Sequence, residues 1–131
     1  MNFSVLGRRA EKPCVNRLTD PVDHGEGPSW DYRTGRLYFV DLHAGKLFNY
    51  DIYKDETNFI ELGGDVTTVI PADYDHNLLL ICRNRSLFVL PWDGRNKSAE
   101  LFILTTVAED KPDSRFNDGK ADNMGRLWLG D

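Results

Sequence analysis

The chain has 131 residues, of which 40% are hydrophobic and 28% are charged, and its formal net charge at pH 7 is −5. This composition is that of a globular protein and excludes low-complexity disorder and collagen-like sequence. The acidic balance argues against a nucleic-acid groove, which needs a clustered basic face, so we predict no nucleic-acid partner.

The sequence carries no sign of a membrane span or of a targeting segment. Its uncharged apolar stretches reach only seven or eight residues, as at 86–92 and 101–108, whereas a transmembrane helix needs about 20. The first 12 residues contain four charged side chains and no apolar core of signal-peptide length. Cys14 and Cys82 are interpreted as free thiols of a reducing compartment. We therefore expect a cytoplasmic protein with no membrane partner.

A short pattern recurs along the chain. Residues 31–41 and 122–131 align closely, and residues 73–82 form a looser copy. Each copy has a polar turn, a Gly or Asn suited to positive φ, and then a short apolar run. The turn residues Gly35, Asn77 and Gly125 are separated by 42 and 48 residues. The repeat predicts a structural unit of 40–50 residues.

The segments between the copies predict further short strands. Residues 46–51 match residues 86–90, and 57–62, 66–70 and 101–107 are additional strand candidates. No segment shows a convincing helical period. About four strands per 40–50 residues are typical of a β-propeller blade. A β-sandwich is the alternative, although it does not require self-similarity at a fixed period.

The length of the chain conflicts with a complete propeller. Propellers have about 4–8 blades, and at this period 131 residues supply fewer than three. The third copy stops at Asp131, at the end of its first apolar strand. We therefore expect an all-β chain that is the N-terminal part of a longer protein or a truncated product of its gene.

A long polar loop is predicted at 109–122, where eight of fourteen residues are charged. Loops of this length in compact domains tend to be functional or disordered. A solvated connector between blades is the alternative interpretation. Phe116 favours an ordered loop, because an aromatic side chain within a charged segment usually anchors it.

The segment 25–28 places Glu26 between two glycines and before a proline. Glycines let the backbone turn sharply and approach a ligand closely. A carboxylate held in this way suits a hard cation, which prefers oxygen ligands. An exposed turn with a solvated acid is the other interpretation of this segment.

Other candidate residues give weaker signals. His24, His43 and His76 do not have metal-ligand spacing, and His43 lies in a predicted hairpin turn. The three tryptophans fall near strand ends, and we predict that they are core residues rather than a sugar-binding platform. They are Trp30, Trp92 and Trp128.

Three motifs occur in a fixed order along the chain: Gly-Glu-Gly-Pro at 25–28 with Trp30, Arg-Phe-Asn-Asp-Gly-Lys at 115–120, and Gly-Arg-Leu-Trp-Leu-Gly at 125–130. In this combination they resemble the SMP-30/gluconolactonase/luciferin-regenerating enzyme family, also called regucalcin-like. Residues 37–41 are also similar to its first-blade strand. We predict one incomplete propeller domain over residues 1–131. The resemblance is strongest over residues 25–130. It would cover less than half of a complete member.

The resemblance implies the N-terminal two to three blades of a six-bladed β-propeller that binds one divalent cation, Ca²⁺ or Zn²⁺, on its axis. It implies hydrolysis of a small-molecule lactone, typically of a sugar acid. Glu26 matches the family's first metal ligand, and Arg115 and Asn117 match positions that contact substrate. Asp118 lies beside them in sequence and is a candidate supporting partner.

The remaining ligands of the family, an Asn and an Asp from later blades, lie beyond Asp131, and at the position of Asp131 itself the family commonly has Thr. No catalytic residue is therefore expected within this chain. We expect the 131-residue chain alone to bind cations weakly and to lack useful lactonase activity. Two alternatives stay open: a non-enzymatic calcium-binding or regulatory propeller, and a protein-interaction module.

Overall fold

The computed structural model describes residues 12–131, and within this part the chain forms ten β-strands and no helix. It therefore contains no helix, over those residues, that is long and apolar enough to cross a membrane. The strands are β1 Gly25–Asp31, β2 Arg36–Asp41, β3 Lys46–Asp51, β4 Glu56–Glu61, β5 Val66–Pro71, β6 Leu78–Arg83, β7 Ser86–Pro91, β8 Phe102–Thr106, β9 Gly119–Ala121 and β10 Leu127–Leu129. The predicted strands at 57–62, 66–70 and 101–107 differ from β4, β5 and β8 by at most one residue at either end.

The strands form three antiparallel sheets that follow the chain order. β1 to β4 make blade 1, β5 to β8 make blade 2, and β9 and β10 pair as a two-stranded sheet that we call the third sheet. Each four-stranded sheet is a meander whose first strand contacts the first strand of its neighbour, since β1 lies against β5 and β5 lies against β9. This arrangement is that of successive propeller blades.

The two faces of blade 1 are set by side-chain alternation along its strands. Phe39, Phe48 and Phe59 lie opposite one another on β2, β3 and β4. Their ring centroids are separated by 5.0 Å and 5.4 Å. Tyr38 and Val40, which flank Phe39 on β2, are fully buried on the other face.

The principal core lies between blades 1 and 2. Its buried side chains come from both sheets and are almost all apolar, and burying each large aliphatic side chain contributes about 1.5–3 kcal/mol. The cluster contains Tyr38, Val40, Leu47 and Ile60 of blade 1, and Val66, Val69, Leu79, Ile81, Leu90 and Trp92 of blade 2 or its following connection. The docking of the two sheets is therefore driven mainly by the hydrophobic effect.

One of the three tryptophans is a core residue, and the prediction for the other two is wrong. Trp92 is 2% exposed, and its Nε1 donates to the Asn96 carbonyl. Trp30 is 51% exposed because it lies on the innermost strand and faces open space beside that strand. Trp128 is 63% exposed on β10, which is paired on one side by β9.

The cysteines are free thiols, as predicted. Cys82 is buried on β6, and burial raises the pKa of its thiol to about 11. Cys14 is exposed. At neutral pH the Cys82 thiol is therefore protonated and behaves as a small apolar core group.

Arg33, in the turn between β1 and β2, links blade 1 to blade 2. Its Nε is 2.8 Å from Asp31 Oδ1, and its Nη2 donates to the Ala72 carbonyl at 2.8 Å. Its Nη1 also donates to the Asp73 carbonyl. Burial tends to raise the pKa of Asp31, but the hydrogen bonds from Arg33 hold it below its usual value.

A second polar contact crosses the interface between the blades. The Nδ2 of Asn49, on β3, donates to the Gly94 carbonyl at 2.8 Å. Asn49 is only 1% exposed. Its amide is thus satisfied by one carbonyl of the connection that follows β7.

The ends of the blades at which β1 and β5 begin lie side by side, and we call this the upper end. Here Leu42 N–H donates to the His24 carbonyl, and Asn84 N–H donates to the Asp65 carbonyl. Phe116 N–H in turn donates to the Asn84 carbonyl. Neighbouring elements are thus joined by backbone hydrogen bonds at this end.

The predicted polar loop is only partly a loop. Residues 119–121 of the predicted loop form β9, and the irregular segment is residues 107–118. Phe116 is 6% exposed, which confirms that an aromatic side chain anchors this charged segment.

Candidate functional site

An open groove with a volume of about 960 Å³ runs along the first strands of the three sheets. We call it the inner groove. Its walls come from β1, β5 and β9 and from the residues just before β9. They include Glu26, Gly27, Thr68, Asn117, Asp118 and Lys120. Residues from the first and second motifs of the sequence thus share one cavity with residues of β5.

The backbone of β1 is distorted where it carries Glu26. Glu26 pairs with Val40, and the register of β1 against β2 then shifts before Ser29. Gly27 has a φ of +59°, a left-handed conformation that side-chain-bearing residues adopt with strain. The predicted sharp turn of this segment is therefore present, as a bulge in an inner strand.

His24 lies against the Glu26 carboxylate. The distance from His24 Nε2 to Glu26 Oε1 is 3.1 Å, and about two-fifths of each side chain is exposed. The His24 ring also meets the His43 ring edge-on, with centroids 5.0 Å apart. The Glu26 carboxylate is therefore in contact with a histidine and is not an isolated solvated acid. The spacing of these residues in the sequence did not predict this contact.

The polar contacts continue from His43 across the upper end. His43 Nδ1 is 3.3 Å from Asp65 Oδ1, and Asp65 Oδ2 is 3.3 Å from Arg115 Nε. Asp65 belongs to no sequence motif, and His43 does not have metal-ligand spacing. The available signal was position, because His43 lies in the β2–β3 turn and Asp65 immediately precedes β5.

Arg115 and Asn117 are neighbours in space as well as in sequence. Arg115 Nη1 donates to the Phe116 carbonyl at 3.0 Å and to Asn117 Oδ1 at 3.2 Å. Asn117 lines the inner groove, whereas Arg115 does not. The structure therefore places Arg115 behind Asn117, with its guanidinium turned toward Asp65.

Asp118 lines the groove beside Asn117 and fixes the start of β9. Its Oδ1 accepts a hydrogen bond from Gly119 N–H at 2.7 Å. Its carbonyl accepts one from Gly130 N–H at 2.9 Å, while the Gly130 carbonyl accepts from Asn117 N–H at 2.8 Å. The third sheet thus holds the backbone on both sides of the Asn117 side chain.

The described residues do not complete a cation site. Among residues 12–131, no three His, Cys, Asp or Glu side chains converge as a metal-binding group. Glu26 offers at most two oxygens, whereas Ca²⁺ takes about 6–8 ligands and Zn²⁺ about four. Glu26 is a suitable donor by chemistry, but a cation bound to it would need most of its ligands from outside these residues.

The family model for the SMP-30/Gluconolactonase/LRE-like region matches residues 24–131. The chain belongs to this family. Regucalcin of Homo sapiens is 30% identical over 117 residues, which cover 89% of the chain and 36% of that protein. The putative sugar lactone lactonase YvrE of Bacillus subtilis is 33% identical over 107 residues, or 81% of the chain and 34% of that protein.

Solved structures of family members show the same fold. A luciferin-regenerating enzyme superposes with a TM-score of 0.75 at 30% identity, over 82% of the chain and 36% of that enzyme. A regucalcin from Agrobacterium tumefaciens, described as a calcium-binding protein, superposes with a TM-score of 0.71. At 22% identity, over 86% of the chain and 36% of that protein, the second likeness shows the fold alone.

These comparisons establish what part of the fold the chain represents. The neighbours are six-bladed propellers, and the chain spans about a third of their length. The predicted fold class, the N-terminal two to three blades of a six-bladed β-propeller, is confirmed. The alternative of a β-sandwich is excluded, because the chain superposes on these solved propellers.

Proposed function

We propose that the protein to which this chain contributes hydrolyses a small-molecule lactone of the sugar-acid type. The observation that carries the proposal is the position of Glu26, Asn117 and Asp118 in one groove. These residues come from motifs that are about 90 positions apart in sequence. The likeness to a putative sugar lactone lactonase supports the same reaction class.

We assign binding and orienting roles to the residues of this chain. The Asn117 amide can donate and accept hydrogen bonds, which suits sugar hydroxyl groups. Arg115 lies behind Asn117 and donates to its Oδ1, so we assign it the role of orienting this amide and, through the amide, the substrate. Asp118 holds the backbone beside Asn117 and so supports its orientation. None of these residues activates the attacking water, which is assigned to residues outside this chain.

Glu26 is proposed as this chain's ligand to a divalent cation, Ca²⁺ or Zn²⁺, in the longer protein. Glu26 lines the groove, and its carboxylate has the oxygen chemistry that hard cations prefer. His24 contacts one carboxylate oxygen, which would restrict the side chain before a cation binds. The other ligands would come from blades outside this chain.

The proposal is tested on the full-length protein with gluconolactone, by following the proton released on hydrolysis. We expect cation-dependent hydrolysis in the wild type. Glu26→Gln should reduce kcat/KM by more than the about 10–100-fold that loss of an outer partner of a metal site costs. Glu61→Gln is the matched control, because Glu61 is an exposed partner of Lys46 in blade 1. A wild-type protein without lactonase activity would contradict the proposal.

A non-enzymatic calcium-binding propeller is the second candidate, and the regucalcins among the relatives favour it. It predicts Ca²⁺ binding that depends on Glu26, without turnover of lactones. An interaction module predicts instead that Arg115→Ala and Asn117→Ala leave function intact. A cytoplasmic location also stays a prediction, which cell fractionation would test.

A further inference from the structure

Asp65 occupies a fixed position at the upper end, one residue before β5. Its N–H donates to Asn84 Oδ1 at 2.9 Å, and its carbonyl accepts from Asn84 N–H at 2.8 Å. Asn84 lies in the turn between β6 and β7 and has a φ of +52°, a conformation that Asn tolerates better than most residues. The backbone of Asp65 is thus held by a side chain and a backbone group of the same neighbour.

Asn84 also holds the segment that carries Arg115. Its carbonyl accepts a hydrogen bond from Phe116 N–H at 2.9 Å. Phe116 is buried, so this segment is anchored by an apolar side chain and by a backbone hydrogen bond. Asn84 therefore fixes the distance between Asp65 and the backbone next to Arg115.

The Asp65 carboxylate uses its two oxygens on different partners. Oδ2 is 3.3 Å from Arg115 Nε, and Oδ1 is 3.3 Å from His43 Nδ1. One-third of the Asp65 side chain is exposed. The carboxylate thus lies between the β2–β3 turn of blade 1 and the segment before β9, and contacts on both sides restrict its rotation.

The Arg115 guanidinium is held along one edge. Nε faces Asp65, and Nη1 donates to the Phe116 carbonyl and to Asn117 Oδ1. A free arginine side chain has many rotamers, and fixing them costs entropy that would otherwise oppose ligand binding. The contacts hold Arg115 against Asn117, the residue of this segment that lines the inner groove.

We propose that Asp65 is a positioning residue that, through the Arg115 guanidinium, holds the Asn117 side chain ready for a lactone oxygen at the inner groove. The inference rests on the proposed lactone-binding role of Asn117. Neither Asp65 nor Arg115 lines the inner groove, so both act through Asn117 rather than by touching substrate.

The test is a double-mutant cycle in the full-length protein with gluconolactone. Asp65→Asn keeps the size of the side chain and removes its charge. We expect it to lower kcat/KM by about tenfold, mainly through a higher KM. In an Arg115→Ala background the same substitution should change kcat/KM by less than about twofold. Equal losses in both backgrounds would overturn the proposal. Glu61→Gln again serves as the control for loss of one surface carboxylate.

A second readout does not depend on lactonase activity. The Nε–H resonance of Arg115 in ¹⁵N-labelled full-length protein, assigned by its loss in Arg115→Lys, should exchange slowly with water in the wild type. It should exchange faster, or disappear, in Asp65→Asn, while the amide of Leu79 in the core stays unchanged. An unchanged Arg115 signal refutes the positioning role. An inactive wild type with the expected signal change instead refutes only the proposed function.

If Asp65→Asn does not fold, Asp65→Glu takes its place in both measurements. It keeps the charge but displaces it by one methylene. We expect a higher KM that again requires Arg115, and a shifted Arg115 Nε–H signal. A KM that rises equally with and without Arg115, or an Nε–H signal that does not shift, would overturn the proposal.

Discussion

Gly27 on β1 lies against the backbone of Thr67 on β5. A Cβ atom at position 27 would be 3.0 Å from the Thr67 carbonyl oxygen, which is closer than ordinary van der Waals contact. The two innermost strands therefore approach each other directly beside Glu26. The residue next to the proposed cation ligand is constrained both by its positive φ and by a neighbouring strand.

Gly27→Ala should destabilise the full-length protein, because the methyl group would push β1 away from β5. Gly63→Ala is the matched control, since Gly63 has a similar φ of +69° but nothing within 4 Å of an added Cβ. Both variants bear the strain of the left-handed conformation. Gly27→Ala should cost a further 1–3 kcal/mol or so in free energy of unfolding, measured by denaturant titration. Equal losses of unfolding free energy in the two variants would contradict this prediction, because the contact between β1 and β5 would then add nothing to the backbone strain.

Arg33→Met should be strongly destabilising. It removes the partner of Asp31, whose side chain is 1% exposed, and an unpaired buried charge typically costs about 3–5 kcal/mol. Arg126→Met is the control, because its pair with Asp122 lies at the surface and should contribute little to stability. Denaturant unfolding of the full-length variants measures both. Equal losses for the two variants would contradict the structural role of the Arg33 pair.

The Asp122 carboxylate should make the stability of the folded protein depend on pH in the acid range. Hydrogen bonds from Trp128 Nε1 and from the Arg126 N–H lower the pKa of its carboxyl to about 2, below the about 3.9 of an unfolded chain. The unfolded state therefore binds the proton more readily. The contribution of Asp122 is complete above about pH 4 and is lost as the pH falls toward 2.

Thermal unfolding of full-length Asp122→Asn and wild type between pH 2 and 6 measures this contribution. We expect the Tm difference to be largest above pH 4 and to shrink as the pH falls to 2. A difference that stays constant across this range would contradict the assignment of the lowered pKa to this carboxylate.

The 131-residue chain alone should bind divalent cations weakly. Glu26 supplies at most two of the oxygens that Ca²⁺ requires, and residues 12–131 bring no other pair of metal-binding side chains to it. Isothermal titration with CaCl₂ and with ZnCl₂ measures the affinity, with the Glu26→Gln chain as the control. A micromolar site that is lost in that control would show that the cation site is complete within the chain.

Most of the strands were predictable because they depend on local sequence. The exceptions are β1, which begins in the predicted turn at 25–28, and β9, which lies in the predicted polar loop. Turn residues such as Gly35 and Asn77 mark the hairpins, and apolar runs between them give strand positions to within one residue. The contact of Asp65 with Arg115 was not predictable, since it joins positions 50 residues apart and depends on how blade 2 meets the third sheet. Arg115 had been singled out by a motif, whereas Asp65 belongs to none.

The errors for Trp30 and Trp128 have a related physical origin. Large aromatic residues near strand ends usually pack into a core, and Trp92 does so between the blades. Trp30 lies on an innermost strand, where one neighbour is a groove rather than another sheet. Hydrophobicity predicts that a side chain prefers burial. The position of its strand within the blade decides whether a neighbouring sheet is present to bury it.

The hydrogen bond from Asn49 to the Gly94 carbonyl limits how the two blades can be oriented. Apolar contacts are non-directional and would tolerate a small rotation of one sheet over the other. A buried amide tolerates it poorly, because losing its acceptor leaves a desolvated polar group unpaired. The angle between the blades also sets how far apart β1 and β5 begin. A single carbonyl in an outer connection thus helps to determine the width of the groove that Glu26 lines.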